Sequence, residues 1–154
     1  MLKKEIHETD TELEIRKAHP ENYNQIMEVW ESSVKASHYF LRPHDFEYYK
    51  KIIPTDYLPN LNVYILCSAK QISGFIGVSG EDLEMLFIAG DLRGKGYGKK
   101  LLNYAIQNLN IKKVDVNEQN QQAIGFYGKF SFKIIGRSPK DGAGKDYPIL
   151  HLSL

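Results

Sequence analysis

The stretch RGKGYGKK, Arg93 to Lys100, sets Gly94, Gly96 and Gly98 at alternate positions among basic side chains. An apolar run, LEMLFIAG, precedes it, and an amphipathic run, LLNYAIQNLN, follows. A strand that enters such a loop and leaves as a helix has free N–H groups at the helix start, which is a ready anion site. Lys95, Lys99 and Lys100 would stand where the helix dipole disfavours cations, by about 0.3–1 kcal/mol each, and a bound pyrophosphate would reverse that sign. The competing reading is a solvated turn with exposed lysines. Two familiar phosphate loops fail on spacing. A Walker A loop needs G-x-x-x-x-G-K-[ST], and no register here supplies both the second glycine and the closing Ser or Thr. The dinucleotide fingerprint G-x-G-x-x-G is not met either, because the glycines run G-x-G-x-G and the loop comes late, after a predicted hairpin.

Alternating strands and helices have to position that loop. LEIRKA, Leu13–Ala18, alternates apolar and polar residues and predicts a short strand. Pro20 and Glu21 are helix-start residues, and the helix that follows would carry Ile26, Val29, Trp30, Ser33, Val34 and Ser37 on one face. A second helix is expected over roughly Asp45–Ile53, ending before Pro54. NVYILCSA and ISGFIGVSG predict a hairpin turning at Lys70-Gln71, and DLEMLFIA a third strand beside it. Gly98–Asn110 reads as a helix with Leu101, Leu102, Ala105, Ile106 and Leu109 inward. IKKVDVN then returns as a strand, QNQQAIGFYGKF as a helix, and FKIIGRS and YPILHLSL as two closing strands. No repeat, low-complexity segment or linker interrupts the 154 residues, so one domain spanning 1–154 is expected.

Composition narrows the class. An apolar content of 42% with 25% charged residues is that of a soluble globular chain. A net charge of +1 argues against a dedicated nucleic-acid binder, which needs a basic excess. The single cysteine, Cys67, excludes an internal disulfide and any cysteine-clustered zinc site; no metal is expected. No run reaches the length of a membrane span, and MLKKEIHETD lacks a signal peptide's apolar region, so no membrane partner and a cytoplasmic location are expected.

Spacing then separates the readings of the glycine loop. RGKGYG fits R/Q-x-x-G-x-G/A, with Arg93, Gly96 and Gly98 in the defining places, and resembles the pyrophosphate loop of the GNAT superfamily of N-acetyltransferases. NQQAIGFYGKFSF resembles that family's N-x-x-A-x-x-x-Y helix through Asn120, Ala123 and Tyr127. SVKASHYFL, Ser33–Leu41, and VNEQNQQAIGFY, Val116–Tyr127, are similar to stretches of a small bacterial subfamily of uncharacterised acetyltransferases. The likeness runs from Leu13 to the C-terminus. Two departures stand out: Ser131-Phe132 where the family carries Gly-Phe, which predicts a differently shaped turn, and Gly90 where a proline is common.

The resemblance implies an α/β (α+β) fold, a mixed, mostly antiparallel sheet splayed near Ile88 and Asn117 with helices on both faces. It implies acetyl-CoA as the donor and transfer of the acetyl group to a primary amine of a small molecule or peptide. Backbone groups of Leu86, Phe87 and Ile88 would meet the pantetheine arm, an N–H near Leu86 or Phe87 polarising the thioester carbonyl. Arg93 and the loop Gly94, Lys95, Gly96, Tyr97, Gly98 and Lys99 would wrap the pyrophosphate, glycine permitting close backbone approach. Asn120 would bond the cofactor, and Tyr127, with an ordinary pKa of about 10, would protonate the departing thiolate. Glu84 is the first choice for the base, Asp115 the second and His38 the third. Trp30, His38, Tyr39, Phe40, Asn117 and the stretch 44–58 would line the acceptor pocket, with Trp30 also a core candidate. The alternative is an acyl-CoA sensor without turnover, or a nucleotide-binding regulator using the same loop. Monomer and homodimer are both compatible with the sequence.

Overall fold

The computed structural model describes residues 13–154. Among the described residues, seven strands form one sheet: β1 (Glu14–Lys17), β2 (Asn62–Ser68), β3 (Gln71–Ser79), β4 (Asp82–Ile88), β5 (Lys113–Asn117), β6 (Lys133–Ser138) and β7 (Ile149–Ser153), in the spatial order β1-β2-β3-β4-β5-β7-β6. Every neighbouring pair is antiparallel except β4–β5. A parallel pair needs a crossover. Helix α3 (Tyr97–Leu109) supplies it, α1 (Tyr23–Ser37) and α2 (Pro43–Ile52) precede β2, and α4 (Gln121–Gly128) links β5 to β6.

Period-2 alternation divides the apolar residues of the central strands between two cores. Ile65 and Phe75 pack with Ile26, Trp30 and Val34 of α1 on one face. Leu66 and Ile76 pack with Leu101, Leu102 and Ala105 of α3 and Tyr127 of α4 on the other. Strand β3 is buried on both faces, from Ile72 to Val78. The predicted inward face of α1 is buried from Ile26 to Val34, and Ile106 and Leu109 of α3 lie half-buried against the core. Helix α3 begins at Tyr97 and ends at Leu109, since Asn110 turns left-handed at φ 58° and stops it.

Helix α2 begins at Pro43, two residues before the predicted start. Its α-helical part ends at Ile52, as Pro54 dictates, but the chain coils on through a π turn over Ile53–Tyr57. Among the described residues no helix is long and apolar enough to cross a membrane.

The functional consequence of the topology is a fork. Strands β4 and β5 pair only at Asp82↔Lys113 and Leu83↔Val114, then part, while β4 stays paired with β3 as far as Ile88. The parting leaves Ile88 and Asn117 on separate arms.

Candidate active site

One arm of the fork leads to a cleft of about 420 Å³. Its floor is Leu86, Phe87 and Ile88 on β4, and its end is the glycine loop running into α3. Beyond Leu83 the β5-side edge of β4 carries no strand, so N–H and C=O groups of 84–88 aimed that way are open to an extended ligand. Gly96, the N-cap of α3, has φ +84°, and Gly94 has φ +82°. A side chain at either would meet nothing within 4 Å, so conformation rather than crowding selects glycine. A glycine cap also offers no side-chain acceptor, and the first helical bond is Lys100 N–H to the Gly96 carbonyl. The N–H groups of residues 97–99 therefore have no protein partner among the described residues, which is the chemistry of an anion site.

Arg93 is engaged differently from the rest of the loop. It lines this cleft, but its guanidinium donates to the Ala36 carbonyl at 3.1 Å and to the Gln122 amide oxygen, tying the end of α1 to α4. Lys95 is exposed at the loop's tip and is outside the lining, whereas Lys99 lines it.

The other arm opens into a second cleft of about 500 Å³. Aromatic rings of Phe40, Tyr49, Tyr57, Phe87 and Tyr147 share its wall with the carboxylates Asp56, Glu84, Asp115 and Asp141. Its outer wall is the β6–β7 loop, held to α2 from a distance. Asp45, 2% exposed, accepts from the Tyr147 hydroxyl and pairs with Lys145 at 3.0 Å, His44 at 3.2 Å and Arg42 at 3.5 Å. Those partners, the Tyr147 hydroxyl first, hold its carboxyl down at about 2 against the cost of burial. Tyr147 also accepts from the Arg42 N–H at 3.1 Å, and the Tyr49 hydroxyl donates to Asp141. Burial first, and then Asp141, pushes the Tyr49 phenol far up.

A cavity of about 100 Å³ lies between the parted strands and is lined by Glu84, Asp115, Asn117, Asn120 and Tyr127. His38 and Phe87 line all three spaces. Burial, and secondarily the positive charge of Arg93, lowers the His38 pKa to about 4, so its ring is neutral at neutral pH. Its Nδ1 bonds the Ser37 hydroxyl at 2.7 Å. The Tyr127 residue is 7% exposed, and its hydroxyl has no protein partner among the described residues. Burial pushes that phenol up, so the hydroxyl keeps its proton well past the ordinary tyrosine range. Glu84 is raised as well, by burial first and then by Asp82 and Asp115.

The fork thus brings together Tyr127, Glu84, Asp115, His38 and Asn117, which are scattered over 90 positions of the chain in outline but share one cavity. Asn120 is there too, and is also the N-cap of α4, its Oδ1 accepting the Ala123 N–H at 3.2 Å. Asn117 likewise spends its Oδ1 locally, on the Gln119 N–H at 2.9 Å. Phe40 lines the second cleft, and Trp30 reaches its edge from the core, 3% exposed and stacked on Phe46 at 5.2 Å. Tyr39 does not belong to it. The chain leaves α1 at His38, and Tyr39 falls on the outside of the turn, 89% exposed.

Both departures from the family pattern have local explanations. Ser131 adopts φ +73°, a left-handed conformation that glycine takes readily, and Phe132 packs edge-on to Tyr127 at 5.7 Å. Gly90 donates its N–H to Ser32 Oγ at 2.7 Å, and a Cβ there would lie 2.8 Å from the Ser32 carbonyl. Proline has no such donor and no room. Sequence reasoning missed the partners Asp141, Tyr147 and His151, which stand in no motif that points to the face they cover.

Comparison with known proteins agrees with this geometry. The sequence model of an acetyltransferase (GNAT) domain matches residues 23–145. The chain is 36% identical over 141 residues to the peptidyl-lysine N-acetyltransferase YjaB of Salmonella typhimurium, covering 91% of this chain and 97% of that one. It superposes on the solution structure of apo-form YjaB from Escherichia coli with a TM-score of 0.84 at 35% identity, over 92% of this chain and 96% of the other. The PaiA N-acetyltransferase of Thermoplasma acidophilum, solved in complex with coenzyme A, shares the fold at 21% identity, with a TM-score of 0.71 over 92% and 99% of the two chains. The chain belongs to the GNAT family of acetyltransferases.

Proposed function

We propose that this acetyltransferase moves the acetyl group of acetyl-CoA onto the side-chain amine of a lysine in a peptide or protein, by direct attack. The observation that carries the reading is the meeting of two clefts at His38 and Phe87, with Tyr127 on one side and the carboxylates Glu84 and Asp115 on the other. The lysine acceptor is suggested by the relatives named as peptidyl-lysine N-acetyltransferases and by an aromatic, carboxylate-bearing second cleft.

The residues present suit the donor. Unpartnered N–H groups at the start of α3, with Lys99 beside them, fit a pyrophosphate. The open edge of β4 fits an amide-bearing arm. Acetyl-CoA supplies an activated carbonyl and a thiolate leaving group. The chain orients the two reactants, and an edge N–H near Leu86 or Phe87 offsets charge on the carbonyl oxygen. Glu84 takes the proton of the acceptor ammonium, its affinity for it raised by burial and by Asp82 and Asp115. Tyr127 holds a proton for the departing sulfur, and burial keeps the phenol protonated while the reaction proceeds. His38, neutral and hydrogen-bonded to Ser37, serves as a wall between the clefts rather than as a base.

The test is thiol release from acetyl-CoA in the presence of a lysine peptide, matched to acetyl-lysine by mass. Tyr127→Phe should lower turnover by about 10²–10⁴-fold, the ordinary range for a general acid. Acetyl-CoA affinity and melting temperature should hardly move, because the hydroxyl has no protein partner to lose. The wild-type rate should also show no falling limb near pH 10. Wild-type turnover in the Phe variant would remove Tyr127 from the role, and acetylation of small amines but never of peptides would overturn the lysine reading.

A further inference from the structure

Asp115 does not stand alone at the edge of the second cleft. Its Oδ1 lies 2.7 Å from His151 Nδ1, and His151 Nε2 lies 2.7 Å from Ser138 Oγ. The three residues sit on adjacent strands, β5, β7 and β6. Register explains the fit: His151 opposes Asp115 on one side and Gly136 on the other. A Cβ at Gly136 would come 3.6 Å from the His151 ring, an ordinary contact, so the ring lies directly over β6. Asp115 lines both the second cleft and the cavity of the fork, whereas His151 and Ser138 line neither. The row therefore leads outward from the acceptor side. Because Ser138 meets neither cleft, this Ser–His–Asp row has no carbonyl to attack and is not a nucleophile.

We propose that Asp115, His151 and Ser138 form a proton exit from the acceptor cleft. His151 acts through Asp115, as a positioning residue for removal of the ammonium proton. The proposal rests on the acetyl-transfer reading above. An ammonium near pKa 10.4 gives its proton more readily to an imidazole, ordinarily near 6.5, than to a carboxylate near 4. The charged groups at the Asp115 end of the row are Glu84 and Asp82 of β4 together with Asp115 itself, all acidic. Arg137, next to Ser138, is already paired with Glu118.

The steps balance as proton transfers alone. An N–H bond of the ammonium breaks as an O–H bond forms at the Glu84–Asp115 pair. From Asp115 the proton passes to His151 Nδ1, in the tautomer carrying its own proton on Nε2. That Nε2 proton goes to Ser138 Oγ as the Ser138 hydroxyl proton goes to bulk water. The amine nitrogen keeps the electron pair with which it attacks.

The test compares the full-length wild type with His151→Gln and His151→Ala, on a lysine peptide and on 1,4-diaminobutane. Glutamine can bridge Asp115 and Ser138 by hydrogen bonds but cannot carry a proton between them. General-base contributions of about 10²–10⁴-fold set the scale, so both variants should lose at least about tenfold in kcat at pH 7, with KM for either substrate little changed. Imidazole in the buffer should restore part of the rate of His151→Ala. The deficit should narrow as pH approaches the amine's own pKa of about 10.4, where the acceptor arrives deprotonated. A Gln variant at the wild-type rate, or the same deficit at every pH, would overturn the relay. A wild type that acetylates the diamine but not the peptide would sink the lysine reading alone, and the diamine series would still decide the relay.

Discussion

The two clefts are built by different means. The glycine-loop cleft is made largely of backbone: left-handed glycines, uncapped N–H groups at one helix start and the bare edge of β4, most of it within Leu86–Lys100. The wall of the other cleft is made of side chains that meet across the chain, with Tyr147 bonding Asp45 at a separation of 102 residues and Asp141 bonding Tyr49 at 92. A backbone cradle recognises a group common to every turnover and tolerates little change. A side-chain wall can be recast residue by residue without disturbing the cradle. The division suggests where specificity can drift within such a fold and where it cannot.

Gly96→Val should break the first region hardest. A β-branched residue at φ +84° is strained by about 1–3 kcal/mol, and the loop would shift to relieve it. Losing two charged hydrogen bonds of about 1.5–3 kcal/mol each weakens acetyl-CoA binding by about 10²-fold or more. Titration calorimetry on the folded variant measures this, and unchanged affinity would place the phosphate elsewhere.

Asp45→Asn should disturb only the second region. Without the full charge that holds Lys145, Arg42 and the Tyr147 hydroxyl, the β6–β7 loop is less firmly placed. The acceptor KM should rise by roughly tenfold, the scale of a displaced binding wall, while acetyl-CoA affinity holds. Equal effects on both substrates would show that the two regions are not separable.

His38 belongs to both regions and gives the smallest effect, read in stability. Its pKa falls from an ordinary 6.5 to about 4 in the folded chain, through burial and then Arg93. Between those values the unfolded chain binds a proton that the folded chain refuses. The contribution is therefore complete above pH 6.5 and is lost as pH falls towards 4. His38→Gln should flatten the loss of stability between pH 7 and pH 4.5 in denaturant titrations, and an unchanged slope would mean the ring is not buried as described.

The same contrast explains what the sequence made legible. The glycine loop and the start of α3 are encoded within a few residues of one another, and Asn120 within its own N-x-x-A-x-x-x-Y stretch, so local patterns and the resemblance sufficed to name them. The fork near Ile88 and Asn117 was expected from the resemblance to the GNAT pattern, not from the strand patterns themselves. Asp45, Asp141, Tyr147 and His151 carry no local signal, since each acquires its part from a partner on a distant element. Tyr39 misled because an aromatic cluster in the sequence says nothing of which side of a turn each ring takes. Ser131 carried no such signal either: a residue type that disfavours the left-handed conformation is held in it by the turn around it, its N–H bonding the Gly128 carbonyl at 3.0 Å.

Cys67 settles a practical matter. It is the one cysteine of the chain, 5% exposed on β2, and burial pushes its thiol further up. A thiolate-seeking dye added to the folded enzyme thus meets a silent protein background, and the colour that develops counts CoA molecules one for one. The same silence offers a blank surface for site-specific labels: a cysteine installed on the β6–β7 loop would be the one thiol to react, ready to report how that wall moves during turnover.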